Sequence, residues 1–495
     1  MKKQILGLCV GAALLGGAPG AWCQQHEAAT TAPAGSQSEG GRWVAGLKYE
    51  PIKWQVPAVG RDVERYELDN GLVVYLKEDR TLPEFRIQAL IRCGSLYDAP
   101  EQSGLSALVG TVMRTGGTRS LSSDSLNSVL EFLAASIETS IGSESGSASL
   151  YCLSKDIETG IQLFADVLRN PAFSQEKLDL AKEQIRKGIK GRNDQPGAIA
   201  SREFDHVIYG THPWGRLLEW ETVKPLRRED LVAYHEHAFA PNRAMLGVTG
   251  DFDTDRVKKL LKSAFGDWKP SSEPLPSRPK VAPDFKPGVY FIERNVNQSA
   301  IRFGHLGIDN NNPDRYAVSV MNFILGGAGF NSRMTSRVRS DEGLAYSVGT
   351  RFETGANDLG TFYAFCQTKS SSTLKALQLM KAEVERIREA PVSGEELAMA
   401  KDSYVNRYIF QFTSASQIVG QLMALEYDDR PRDLLEVYLD RIRAVTAEDV
   451  QRVAQEYLHP DKISYLVVGK KAQLDGDLAT LGQVTQIELK DPVVD

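Results

Sequence analysis

Residues 228–251 read REDLVAYHEHAFAPNRAMLGVTGD, and residues 447–470 read AEDVQRVAQEYLHPDKISYLVVGK. Asp230 precedes Pro241 by 11 positions, as Asp449 precedes Pro460. Gly250 follows Pro241 by 9 positions, as Gly469 follows Pro460. Each copy predicts a helix, a proline-marked turn and a buried strand ending in glycine. Upstream, 148–185 (ASLYCLSKDIETGIQLFADVLRNPAFSQEKLDLAKEQI) parallels 360–404 (GTFYAFCQTKSSSTLKALQLMKAEVERIREAPVSGEELAMAKDSY). Both predict strand, long amphipathic helix, a stop containing proline, then a second helix. A motif written twice at fixed spacing predicts two homologous α+β domains, each a mixed or antiparallel sheet packed against helices.

The boundaries follow from composition. Residues 269–288, KPSSEPLPSRPKVAPDFKPG, form a proline-rich linker. It separates a first domain at 61–268 from a second at 289–475, with a tail at 476–495. Polar, small residues make 24–60 a flexible lead-in. Residues 1–23 carry the marks of an export signal: Lys2 and Lys3, the apolar run ILGLCVGAALLGG, and Ala21 and Cys23 before a cut at Gln24. A lipid anchor on Cys23 is disfavoured by bulky Trp22 beside it. Export from a bacterial-type chain predicts the periplasm. No segment has the length and apolarity of a transmembrane helix.

The chain has 495 residues, 42% of them hydrophobic and 25% charged, with net charge −6. These values belong to a globular protein and give no electrostatic footprint for nucleic acid. The basic run KEQIRKGIKGR at 182–192 predicts a solvated helix face. After export, Cys93, Cys152 and Cys366 remain, each within an apolar or alternating run. They predict buried free thiols rather than a disulfide framework.

Residues 104–118, GLSALVGTVMRTGGT, predict a helix with an apolar stripe of Leu105, Leu108, Val109, Val112 and Met113. Ala107, Gly110 and Thr111 share its other face, and a helical glycine costs about 1 kcal/mol against alanine. Four stretches carry a family resemblance: CGSLYDAPEQSGLSALVGTVMRTGGT (93–118), NDQPGAIASREFDHVIYGTHPWGR (193–216), LVAYHEHAFAPNRAMLGVTGDFD (231–253) and VRSDEGLAYSVGT (338–350). Together they resemble the pitrilysin/insulinase-type metallopeptidases, or inverzincins, from about Glu64 to Lys471. Active members carry H-x-x-E-H on this helix: two histidines on one face hold zinc, and the glutamate activates water. The resemblance places those three residues at Ala107, Gly110 and Thr111, and a later glutamate ligand at Gly188. None of these four is a useful zinc ligand. Among the seven histidines, only His235 and His237 are close in sequence, and at i, i+2 on a helix they point apart.

The resemblance also carries over a substrate grip. The family pattern R-x-x-x-G-L-x-Y matches Arg339, Gly343, Leu344 and Tyr346. In active members this arginine and tyrosine face the zinc and hold the peptide backbone. The plainer reading is a surface arginine in a salt bridge and a tyrosine packed at a strand start. Gly326, Gly327 and Gly329, in LGGAGFNSR at 325–333, lack the Lys-Ser/Thr of a phosphate loop. They predict either a helix start needing close backbone approach or a flap touching substrate.

Some members of the family are two-chain clamshells, one chain supplying zinc and the other the arginine and tyrosine. The expectation is therefore a non-catalytic, peptide-binding subunit. It would bind no zinc and hydrolyse nothing alone, and it would pair with a zinc-bearing homologous subunit. The alternative is a peptide-binding or scaffold protein with no proteolytic role.

Overall fold

The computed structural model describes residues 55–284, 286–356 and 358–490. The expected export signal and most of the expected lead-in lie outside the described residues. Folded structure begins with β1 (Glu64–Glu67), β2 (Val73–Glu78) and β3 (Glu84–Ile91). The turn between β1 and β2 uses Asn70-Gly71, with Gly71 at φ +86°, a conformation open to glycine. With β4 (Ser136–Ile141), β5 (Gly146–Leu153) and β6 (Ala244–Gly250) they form a sheet in the order β1-β2-β6-β3-β5-β4. Only the β2–β6 pair is parallel.

The second half repeats this. Strands β7 (Gly288–Glu293), β8 (Gln298–Leu306), β9 (Ala345–Phe352), β10 (Thr361–Lys369), β11 (Ser464–Gly469) and β12 (Val484–Gln486) take the order β12-β7-β11-β8-β10-β9. The parallel pair β7–β11 corresponds to β2–β6. The architecture is α+β, with the twice-written motif supplying the central strands β6 and β11, each buried at every position. Beyond residue 475, where a tail was expected, β12 pairs with β7, and Ile487 donates to the Phe291 carbonyl at 2.8 Å.

The helices of eight or more residues in the first half are α1 (Leu105–Thr115), α2 (Ser123–Phe132), α3 (Ile157–Arg169), α4 (Gln175–Lys190), α5 (Pro196–Tyr209), α6 (Arg228–Ala238) and α7 (Thr254–Phe265). Those of the second are α8 (Arg315–Asn322), α9 (Thr373–Glu389), α10 (Gly394–Tyr408), α11 (Ala415–Tyr427), α12 (Leu434–Ala444) and α13 (Ala447–Tyr457). The apolar stripe of α1 packs with Phe85, Ile87 and Leu150 in the core of the first half. Cys93, Cys152 and Cys366 are buried free thiols, as the sequence indicated, and burial pushes all three up to about 12. Among the described residues, no helix is long and apolar enough to cross a membrane.

The remaining face of each sheet is covered by a helix from the other half. Ile199, Phe204 and Ile208 of α5 pack on Ile292, Ala300, Leu306, Leu466 and Val468 of the second sheet. Reciprocally, α11 lies on the first sheet. An ideal Cβ on Gly247 of β6 would stand 2.6 Å from Val419 Cγ1, so the glycine lets α11 approach. Thr249 and Ser416 share a hydrogen bond of 2.9 Å. At its end, Glu426 accepts from Arg65 Nε at 2.7 Å and Nη2 at 2.5 Å, and from the Tyr75 hydroxyl. These donors hold its carboxyl below the usual range. Glu426→Gln keeps the volume and removes the charge that Arg65 and Tyr75 satisfy. A loss of about 2 kcal/mol in unfolding free energy is expected, read from urea denaturation. An unchanged midpoint would show that this pairing does not secure α11.

Candidate functional site

The helix that resembles the zinc helix of active enzymes begins at a buried carboxylate. Asp98 Oδ2 accepts from Ser106 Oγ at 2.8 Å and from the backbone N–H groups of Gly104 and Ser106 at 3.3 Å. Burial nevertheless pushes its carboxyl up to about 6. From this cap α1 runs along the edge strand β4. Thr139 Oγ1 donates to the Gly110 carbonyl at 2.7 Å, and Arg114 Nε to the Ile137 carbonyl at 2.9 Å.

Of the four motif positions, Gly110 is buried, Ala107 is half-buried, and Thr111 and Gly188 are exposed. Gly110 is not an open gap. An ideal Cβ there would stand 2.4 Å from Ile141 N and 2.9 Å from the Ser140 carbonyl carbon, both backbone atoms of β4. Gly188 is the opposite case, with nothing within 4 Å of an added Cβ. A methyl, two hydrogens and one hydroxyl offer zinc no nitrogen, thiolate or carboxylate donor, so these positions do not fit the metal. Among the described residues, no group of three or more His, Cys, Asp or Glu side chains is placed to hold a metal ion.

The described histidines have other partners. On α6, His235 is buried, stacks on Phe239 at 4.8 Å, and donates from Nε2 to the Leu168 carbonyl at 2.8 Å. His237 points away, its Nδ1 2.6 Å from Glu273. His305 donates from Nδ1 to the Leu306 carbonyl and accepts the His459 backbone N–H at Nε2.

The second cluster stands beside β9, the edge strand of the other sheet. The chain passes through two π-helical turns, Phe323–Gly327 and Ser336–Asp341. Such widened turns re-aim side chains. Gly326 passes the β9 backbone so closely that a Cβ would lie 2.4 Å from Thr350 N, and a Cβ on Gly327 would crowd Asn322. Gly329, at φ +58°, turns the chain so that Phe330 follows at 65% exposure. Ser332 then caps the next turn, and Arg333 grips Glu396 through two bonds of 2.6 and 2.8 Å. Those bonds hold the Glu396 carboxyl at about 2.

Arg339 rises from the second π turn between two aromatic rings. Its guanidinium carbon lies 4.4 Å from the Phe330 ring centroid and 4.8 Å from that of Tyr346. Tyr346 is 81% exposed at the start of β9. The neighbouring carboxylate, Glu342, is taken by Arg337 and Lys375. Among the described residues the Arg339 guanidinium has no hydrogen-bond acceptor or ion-pair partner. Both rings thus lie within cation–π distance of the guanidinium, while its N–H groups stay available for a carbonyl or carboxylate. The structure brings Arg339, Tyr346 and the glycine-rich loop together, and places the α1 positions on the other sheet. Phe330 was missed in the sequence. Its signal is a large aromatic set directly after three glycines, where no strand or helix periodicity calls for it.

The chain is similar to known proteins over most of its folded length. Residues 73–219 match the family model described as insulinase (peptidase family M16), and 225–404 match the peptidase M16 inactive domain. An uncharacterized zinc protease of Streptomyces coelicolor is 24% identical over 406 residues, covering 80% of this chain and 87% of that protein. A non-peptidase homolog, YmxG, of Helicobacter pylori is 23% identical over 81% of this chain and 92% of its own length. Among solved structures, a peptidase M16 inactive domain from Pseudomonas fluorescens superposes with TM-score 0.75 at 26% identity, covering 83% of this chain and 99% of that one. The periplasmic protease PqqL of Escherichia coli has the same fold, with TM-score 0.72 at 17% identity. The match takes in 90% of this chain but 49% of PqqL. This chain belongs to the M16 peptidase family, as a member without the zinc-binding motif.

Proposed function

We propose that this chain is the non-catalytic, substrate-binding subunit of a heteromeric zinc metallopeptidase that hydrolyses peptides in the bacterial envelope. The observation that carries this is the contrast between its two clusters. Where zinc would be held there are no donors and, at Gly110, no room. Where substrate would be gripped, Arg339 is held between two exposed rings with its donors uncommitted. A homologous partner with H-x-x-E-H supplies the zinc and the activated water. Arg339 and Tyr346 supply N–H and O–H donors to the peptide carbonyl as charge develops on it. The site of action in this reading is the periplasm, supported by the export-signal pattern of the sequence at 1–23.

The test mixes the purified chain with a zinc-bearing homologue and follows peptide cleavage. Arg339→Ala is expected to lower kcat/KM of the mixture by about 100-fold and Tyr346→Phe by about tenfold. Addition of the chain should raise the homologue's activity. If both variants match the wild type, Arg339 and Tyr346 have no part in catalysis. The second reading, a peptide-binding or scaffold protein without proteolysis, draws on the relative named a non-peptidase homolog. Peptide binding without any gain in cleavage by the mixture favours it.

A further inference from the structure

A cavity of about 500 Å³ lies between α5 and the turn that follows it, lined by Ser201, Arg202, Asp205, Trp214 and Arg216 among others. Its walls are fixed. His206 donates from Nδ1 to the Gly215 carbonyl at 2.7 Å, and a Cβ on Gly215 would stand 2.8 Å from the Gly210 oxygen, so the turn is drawn tight against the helix. Trp214 donates to Ser143 Oγ at 3.0 Å and meets Tyr209 edge-on at 5.3 Å. Arg202 is engaged at all three nitrogens, donating to the Arg192 carbonyl, to Asn193 Oδ1 and to Glu203.

Two lining groups are not so engaged. Asp205 lines the cavity and accepts no hydrogen bond among the described residues. Burial, opposed by Arg302 and reinforced by Glu353, pushes its carboxyl up to about 6, the behaviour of an acid short of donors. Arg216 spends Nη1 on the Asp98 carbonyl at 2.8 Å, and its remaining donors have no acceptor among the described residues. The cavity thus presents one uncommitted acceptor group and one uncommitted donor group.

That pairing selects a ligand. A metal cation alone would be repelled by Arg202 and Arg216, and an anion alone by Asp205. A lysine side chain brings an ammonium with no acceptor beside it. An α-amino terminus has an ammonium with a carbonyl oxygen two bonds from its Cα, which satisfies both groups. We infer that this cavity binds an α-ammonium group on Asp205 and the adjoining carbonyl oxygen on Arg216, with the side chain against Trp214. A free amino acid and the amino-terminal residue of a peptide share this chemistry. The site is independent of Arg339, and its test does not depend on a partner subunit.

The experiment is titration calorimetry of the full chain with alanine, trialanine amide and N-acetyl-trialanine amide at millimolar concentrations. Alanine or trialanine amide should bind, and acetylation of the latter should weaken binding at least tenfold. Asp205→Asn should weaken binding of the free amines to the same extent, while Asp205→Glu keeps part of it. Preference for alanine over trialanine amide, or the reverse, tells the two sources apart. Absence of binding by both free amines overturns the inference, as does equal binding of the acetylated peptide or unchanged binding by a folded Asp205→Asn chain. If that variant fails to fold, the acetylation comparison decides.

Discussion

Gly110→Ala is expected to destabilise the chain by about 2 kcal/mol, although alanine favours a helix over glycine by about 1 kcal/mol. The added carbon would sit 2.4 Å from Ile141 N and 2.9 Å from the Ser140 carbonyl carbon. Neither atom is the free end of a side chain. β4 is held by its full pairing with β5 from Ser136 to Ile141, and to α1 itself by the Thr139 and Arg114 bonds. Inserting volume against such a neighbour costs about 1–3 kcal/mol, more than helix propensity returns. Gly188→Ala is the matched control. Its Cβ meets nothing within 4 Å, so the same exchange should stabilise by up to about 1 kcal/mol. Urea denaturation of both variants reads the difference, and the prediction is a pair of opposite signs. If Gly110→Ala stabilises as Gly188→Ala does, α1 is not pressed against β4. The same contact implies that writing histidine, glutamate, histidine and glutamate into positions 107, 110, 111 and 188 does not by itself create a zinc site, because β4 stands where the glutamate side chain would leave the helix.

The second large effect concerns acid. Burial depresses the pKa of His235 to about 4 from an ordinary 6.5; its bond to the Leu168 carbonyl opposes the shift, and Arg119 adds to it. The folded chain keeps this ring neutral, while the unfolded chain protonates it below 6.5. Its contribution to stability is whole above pH 6.5 and is lost as pH falls toward 4, by about 3 kcal/mol. His305 behaves alike, also near 4 through burial. Asp98 and Asp205 act in the other direction. Their carboxyls, raised to about 6, carry a penalty above that pH which protonation relieves. The whole-chain profile is thus flattened, and a variant difference isolates the histidine. His235→Phe keeps the stack on Phe239 and loses the bond to Leu168. At pH 7 it should be less stable than wild type by about 1 kcal/mol. At pH 4 it should be more stable by about 2 kcal/mol, because phenylalanine has no proton to take up. Denaturation at the two values checks the crossover; a constant difference would show that His235 titrates normally.

The repeat was legible because its signals are local: a capped helix, a proline, and a run of apolar residues at matching distances. So were the Asn70-Gly71 turn and the stripe of α1. The covering of each sheet by the opposite half was not. Ile199, Phe204 and Ile208 announce that α5 has an apolar face, and Val419 and Met423 say the same of α11. Periodicity carries no information about which sheet either face meets. Gly110 was ambiguous for a related reason, since a small residue beside a void and one pressed on a backbone are written with the same letter. At the second cluster, the pattern found Arg339 and Tyr346, but the freedom of Arg339 depends on Arg337 and Lys375 taking Glu342, which only the folded chain reveals.

The crossing of α5 and α11 has a mechanical consequence for the linker at 269–288. Although proline-rich and extended, it cannot serve as a pivot, because each half is clasped by a helix of the other and the clasp survives any bending of the tether. A bend at the linker alone would therefore leave the two halves together; parting them requires α5 and α11 to leave the sheets they cover.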